Sequence, residues 1–373
     1  MQPILNRRRL VSSAAMAAAG LALPGCATTR PRSLAAAGDG CLPPVEIDAS
    51  RIIRNVVGLR PYRASGFVVR EERVGEARLV HNYGHGGAGI TLSWGTSRLA
   101  VDLGLAPELG SHSGPVAVIG AGIMGLTTAR LVQETGLPVT VYTAALPPET
   151  TSNIAGGQWH PFGHFREDSV TPEWRRQYIA AAEYSWRRFQ LMVGDDYGVR
   201  WLPTYTERRA PEAKLLPTFP PVNRVLAARE HPFPVENLVR YDTLYVETGR
   251  FLRQLMREIQ IAGGRIEQRR FASPADIAAL PERLVFNCTG LGARDLFGDT
   301  ELRPARGQLA ILLPQPEVRY AFSGEAGYMF PRADGILLGG TFQLDNWNLE
   351  PDAATTDRII ESHRELFSRF RCS

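Results

Sequence analysis

Two glycine-rich stretches have the spacing to do chemistry. In Pro115 to Gly125, PVAVIGAGIMG, Gly120, Gly122 and Gly125 fall at G-x-G-x-x-G intervals. That pattern suits a dinucleotide. The first glycine makes a tight turn, the second lets a pyrophosphate approach the backbone, and the third lets helix and strand pack closely. The diphosphate then sits on free N–H groups at a positive helix end. An ordinary glycine-rich turn is the alternative. In Leu79 to Thr91, Gly84, Gly86, Gly87 and Gly89 are four glycines in six positions. A backbone so bare before a helix implies close approach to something flat or anionic. His81 and His85 lie in this stretch, but nothing nearby completes a metal set, and no metal is expected. Loop histidines bonded to backbone are the other reading of the pair.

The elements that must position these loops follow from apolar patterning. Val116 to Ile119 reads as a buried strand, and Leu126 to Val132 continues as a helix. Ile90 to Leu103 resumes at helical spacing after the second loop. Val139 to Tyr142 is the next strand of the nucleotide fold. The acidic residue that usually ends it and grips the adenosine ribose is replaced by Thr143-Ala144, which argues against a standard NAD grip. Taken alone, Thr150-Thr151-Ser152 reads as a helix cap. Residues 172–193 form a helix whose Trp174, Tyr178, Trp186 and Phe189 suit core packing. Residues 195–240 read as short strands and loops. Tyr245 to Gln260 is amphipathic and leads through Gly263-Gly264 into a strand from Arg265 to Phe271. A last helix covers Thr355 to Phe370.

The 373 residues, 44% hydrophobic, suffice for two domains. The net charge of +4 includes Arg7, Arg8 and Arg9, and is +1 without them. Lys214 is the sole lysine among 42 basic residues, a compositional bias rather than a phosphate-binding surface, and nucleic acid is not expected as a partner. Residues 1–26 read as a twin-arginine export signal. Their apolar run, Val11 to Leu23, is too short to span a bilayer. It closes on Leu23-Pro24-Gly25-Cys26, a lipoprotein-like box, so Cys26 is the expected lipid anchor and the only tie to a membrane; a cleaved or disordered tail is the alternative. The expected location is the periplasm or cell envelope. Residues 27–50 read as a linker.

Several blocks resemble the D-amino-acid oxidase family of flavoproteins. They are GLRPYR (Gly58 to Arg63), HNYGHGGAGIT (His81 to Thr91), VAVIGAGIMGL, TTSNIAGGQWHPF (Thr150 to Phe162), VFNCTGLGAR (Val285 to Arg294), LRPARGQ (Leu302 to Gln308), YMFP (Tyr328 to Pro331) and LLGGTFQLDNW (Leu337 to Trp347). The resemblance implies an α/β architecture: a Rossmann-type FAD-binding domain with an interleaved antiparallel-sheet substrate domain. It assigns residues 51–75, 166–240 and 301–335 to the substrate domain, and 76–165, 241–300 and 336–373 to the FAD domain. The family's closing blocks here precede the dinucleotide motif, as in a circular permutation. Family-like order would run 115–372 and then 41–104, with 105–114 as the new linker. Cys41 and Cys372 would then be near neighbours, and a disulfide between them is expected in an oxidising compartment. Cys288 reads as a core thiol.

The implied reaction is FAD-dependent oxidation of a D-amino acid to the 2-oxo acid, with release of ammonia and hydrogen peroxide. Molecular oxygen is the implied acceptor. The resemblance assigns cofactor contacts to Gly120, Ala121, Gly122, Ile123, Met124 and Gly125, and to Thr150, Thr151, Ser152, Gly157 and Gln158. It adds Phe271, Thr289, Gly86, Gly89, Ile90 and Thr91. The Gly87 carbonyl would accept from the substrate amine. The substrate carboxylate needs a bidentate guanidinium and a phenol. Tyr328 stands where the family places that phenol, and Gly324 where it places a second, lid tyrosine. Alignment puts Val68 at the family arginine. Arg70, two residues on and so on the same strand face, becomes the replacement candidate, with a solvated strand charge as the other reading. These departures leave open an amine or glycine-type substrate, or an exported flavoprotein without turnover.

Overall fold

The computed structural model describes residues 41–161, 164–207, 216 and 219–371. The expected export signal, the Cys26 anchor and Cys372 lie outside them. The chain opens with β1 (Ile52–Tyr62), β2 (Val68–Val74), β3 (Ala77–Tyr83) and α1 (Gly89–Gly104). The dinucleotide motif follows as β4 (Val116–Ile119), α2 (Ile123–Glu134) and β5 (Val139–Thr143). Helices α3 (Thr151–Ile154) and α4 (Pro172–Gln190) lead to β6 (Val199–Thr206), β7 (Asn223–Ala227) and β8 (Asn237–Val246). Next come α5 (Thr248–Ile261), β9 (Arg265–Gln268), α6 (Pro274–Ala278), β10 (Leu284–Asn287) and α7 (Gly292–Phe297). Strands β11 (Arg303–Leu312), β12 (Ala321–Gly324), β13 (Gly327–Arg332), β14 (Gly335–Gly339) and β15 (Gln343–Leu344) precede α8 (Ala353–Ser368). No helix among the described residues is long and apolar enough to cross a membrane.

A six-stranded sheet runs β2-β3-β10-β4-β5-β9, with β2 antiparallel and the rest parallel. Every residue of β4 and β10 is buried, as both faces of a parallel sheet demand. From β4 the chain passes through α2 to β5 on one side, while β10 lies on the other. The strand order therefore reverses between β4 and β10, the place where such sheets open a crevice at their carboxyl ends. Gly120 leaves β4 there, and Cys288 to Gly290 leave β10. Helix α1 is clamped onto α4 at Gly95, where a Cβ would stand 1.9 Å from the Ala181 carbonyl oxygen. The Gly95 N–H donates to Ser185 Oγ at 2.8 Å.

A nine-stranded sheet runs β1-β11-β14-β13-β12-β6-β8-β7, with β15 on β11. Its pairs are antiparallel except β12 with β6. Helix α8 covers it with Ile359, Ile360, Leu366 and Phe367. Its cap is Asp352, whose carboxylate accepts from Thr355 N at 2.8 Å.

The sheets divide the chain differently from the sequence pattern. Strand β2 pairs with β3, not β1, so residues 68–74 belong to the nucleotide layer. Strands β14 and β15 and helix α8 build the antiparallel layer, although 336–373 was expected in the FAD domain. Residues 241–246 join that layer as the end of β8, while α4 packs on α1 beside the nucleotide sheet. Tyr245 and Val246 close a strand instead of opening a helix, since Tyr245 pairs with Arg200 across β6. β9 stops at Gln268, which leaves Phe271 in a loop. Each difference is a choice of long-range partner, which local periodicity does not encode.

Candidate active site

The two layers enclose a cavity of about 1050 Å³, at the upper limit of ordinary small-molecule sites of roughly 300–1,000 Å³. At the sheet reversal, Gly120 adopts φ +114°, and a Cβ on it would lie 2.5 Å from the Cys288 carbonyl oxygen. A Cβ on Gly125 would lie 1.8 Å from the Gly120 carbonyl oxygen. These two glycines are bare because backbone fills their space. Gly122 is different: a Cβ there would meet only Ser152 Oγ at 3.2 Å, so it faces open space. Gly122 gives α2 no side-chain cap, and Ser152 Oγ instead accepts from Ile123 N at 2.9 Å. Thr143 Oγ1 accepts from Ala121 N at 3.1 Å and donates to the Ala145 carbonyl at 2.7 Å, so it braces the turn.

The second loop meets the same cavity. Helix α1 begins at Gly89 with no side-chain cap, so the amides of its first turn lack intrahelical acceptors. Two uncapped helix N-termini and a glycine floor thus border one space. That is a fit for a molecule carrying an anionic diphosphate and a flat ring system. Gly86, Gly89, Ile90, Ala121, Gly122, Ile123, Met124, Thr150, Thr151, Ser152, Gly157, Gln158, Phe271 and Thr289 line it, as do Gly120, Gly87 and Tyr328. Gly125 packs behind the turn. Thr91 also lies off the wall: its Oγ1 accepts from His160 N at 3.0 Å and ties α1 to that segment.

His85 and His164 flank this loop and are buried. His85 Nε2 bonds Thr96 Oγ1 at 2.9 Å, and its ring stacks on Phe67. Burial pushes the pKa of each histidine down to about 3. Both are neutral in the fold but protonate near pH 6.5 once unfolded, so the stability they confer is full above that value. It is lost as pH falls from about 6.5 toward 3, by about 1.4 kcal/mol per pH unit for each. The melting temperature should hold above about pH 7 and drop steeply by about pH 5. A flat profile across that range would show that neither histidine is held neutral. His81 is likewise internal, with Nδ1 at 2.9 Å from Asn287 Nδ2. No metal-binding cluster occurs among the described residues.

Arg70 is not in the cavity. Its side chain is 53% exposed on β2 and pairs with Glu72 at 3.0 Å. The face argument from Val68 fails because β2 leaves the antiparallel sheet for the edge of the other one. The guanidinium that the antiparallel sheet brings into the cavity is Arg60, from the Gly58-Leu59-Arg60-Pro61 run of β1; Arg269 and Arg270 line it beside Phe271. It lies flat across Gly307, where a Cβ would be 2.2 Å from Arg60 Nη1. The Tyr328 ring lies across Gly339 in the same way, with its hydroxyl 2.6 Å from where a Cβ would stand. These bare positions sit on the adjoining strands β11 and β14. Tyr328 also stacks on Phe330 at 4.6 Å. Burial raises the pKa of the Tyr328 phenol, with the Arg60 charge and hydrogen bond opposing that rise, so it stays a hydrogen-bond donor. A Cβ on Gly87 would touch Arg60 Cδ at 3.7 Å, so the glycine loop and the cation meet. The GLRPYR run itself carried the signal for Arg60, since Gly58 to Pro61 all line the cavity.

The FAD dependent oxidoreductase (DAO) family model matches residues 8–103 and 115–372. The D-amino-acid oxidase of Streptomyces coelicolor is 32% identical over 263 residues, 67% of this chain and 76% of that protein. The Homo sapiens D-aspartate oxidase is 28% identical over 263 residues, 68% of this chain and 74% of that one. Among solved structures, iminodiacetate oxidase from Chelativorans sp. BNC1 superposes with a TM-score of 0.51 at 16% identity, covering 68% of this chain and 79% of that one. L-proline dehydrogenase from P. horikoshii gives 0.51 at 13% identity, covering 69% and 78%. The last two likenesses concern the fold alone.

Proposed function

Because this chain belongs to the DAO family of FAD dependent oxidoreductases, with FAD as its cofactor, we propose that it oxidises D-amino acids. In balance, a D-amino acid, oxygen and water give a 2-oxo acid, ammonia and hydrogen peroxide. Bound FAD supplies the hydride acceptor and passes the electron pair to oxygen. The protein's part is orientation and charge. Arg60 would take the substrate carboxylate through paired N–H donors, with the Tyr328 phenol as a further donor. Gly87, against Arg60, offers its carbonyl to the amine. The amides of the first α1 turn would favour negative charge developing on the ring system, while those of α2 and the open face at Gly122 suit the diphosphate. One observation carries the reading: the Arg60 guanidinium and the Tyr328 phenol share a cavity with the α1 amino terminus. Peroxide release by purified holoenzyme with D-alanine, D-serine and D-valine tests it. Release with N-methyl glycines alone would redirect it to secondary amines, and no release with either would leave a flavoprotein without turnover.

We infer as well that the chain is circularly permuted, with family order 115–372 followed by 41–104. The family match omits 104–114, where the junction is expected. The two ends of the described chain also share one apolar cluster. Phe370 packs on Phe233 at 4.8 Å, Leu42 joins the same group, and the Tyr320 hydroxyl donates to the Pro43 carbonyl at 2.7 Å. Cys41 is disulfide-bonded, and its proposed partner Cys372 lies outside the described residues. Cys41→Ser should lower stability by about 2–5 kcal/mol. A denaturation midpoint that is unmoved, by the variant or by reductant, would remove the staple from the account. The Arg7 to Arg9 signal supports export to the envelope; fractionating cells and weighing the mature N-terminus tests that.

A further inference from the structure

The antiparallel sheet walls one end of the cavity, and the only charged side chain it contributes there, among the described residues, is Arg60. The rest of that wall is neutral, and part of it is an organised polar network. Gln158 Nε2 donates to the Tyr245 hydroxyl at 2.8 Å and to the Tyr241 hydroxyl at 3.2 Å. Tyr245 is fully enclosed and shares a further hydrogen bond with Thr204 Oγ1 at 3.0 Å. Tyr241 lines the cavity instead, and its hydroxyl proton has no acceptor among the described residues. Ser323 lines the same wall with its hydroxyl unpaired there, directly across from Tyr328 in the β12–β13 register and so on the same face. The Phe330 ring bridges the clamp and the network, touching Tyr328 at 4.6 Å and Tyr245 at 5.2 Å.

A donor left unpaired in an enclosed site costs free energy unless a ligand meets it. We propose that the substrate side chain meets it: the compartment selects D-amino acids with an uncharged, hydrogen-bonding side chain, read by the Tyr241 hydroxyl that Gln158 orients, with Ser323 beside it. This rests on the D-amino-acid reading above. Arg60 is committed to the α-carboxylate, so on this wall a second carboxylate finds no other cation and an ammonium finds no carboxylate. Either would enter desolvated and unpaired. Burial raises the pKa of the Tyr241 phenol and keeps it a donor. A site built on such donors discriminates against an isostere that lacks the polar atom, because its own groups then go unpaired.

The test compares shape-matched pairs on the holoenzyme: D-threonine with D-valine, and D-asparagine with D-leucine. The expected kcat/KM favours the polar member by about tenfold or more. In Tyr241→Phe the ratio should collapse toward one while FAD content stays at wild-type level. If Tyr241→Phe fails to retain FAD, Ser323→Ala, which removes the neighbouring hydroxyl, should lower the same ratio. Equal wild-type rates within both pairs overturn the selection, and a ratio unchanged in a flavin-loaded variant overturns the reading of the side chain by these hydroxyls. If no D-amino acid in either pair reduces the flavin, the oxidase reading fails first and this one falls with it.

Discussion

Replacing Arg60 with leucine should lower kcat/KM for D-amino acids by roughly a thousandfold, the loss expected when one partner of an enclosed ion pair is removed. The guanidinium rests on the bare floor at Gly307 and faces Tyr328. No other cation on that wall can take over, since the remaining lining groups of the antiparallel sheet are neutral. Lysine should recover little, because one ammonium cannot reproduce two parallel donors to a carboxylate. Steady-state kinetics across substrate concentration should show the loss, with flavin content unchanged. Arg70→Ala is the matched control and should stay within about twofold, as expected of an exposed pair. The reverse ranking of these two arginines would return the clamp to β2.

Gly125→Val should yield protein without cofactor. A side chain at that position has no room, as its first carbon already lies 1.8 Å from the Gly120 carbonyl oxygen. Helix α2 must then withdraw from β4, and its amino terminus leaves the diphosphate position. The ratio of flavin to protein absorbance after gel filtration should fall close to zero, while far-ultraviolet circular dichroism shows retained secondary structure. A valine variant that keeps stoichiometric flavin would mean that the turn does not depend on this close approach.

The dinucleotide turn was legible because its cause is local. Val116 to Ile119 is apolar throughout, and three glycines at fixed spacing each have a neighbour or an opening that explains them. The second glycine loop was legible for the same reason, whereas Tyr328 was named only through the family resemblance of its short block. Arg60 stands in plain view in the GLRPYR run, yet alternation from Val68 points to Arg70. Which sheet β2 joins is decided by β3, and strand alternation alone cannot say so. Tyr245 shows the same limit, since its amphipathic surroundings fit a helix until β6 claims it. The Gln158–Tyr241–Tyr245 network was hidden more deeply, because it unites residues 83 and 87 positions apart, where the segment after α3 bridges to β8.

The most direct test is an anaerobic titration of the purified yellow protein with one amino acid offered as its two enantiomers. The D form should bleach the flavin band to completion in a single turnover, and admitting air should restore the colour with one peroxide formed per flavin. A band that ignores the D form, or that bleaches equally with the L form, would contradict the proposed chemistry at its root.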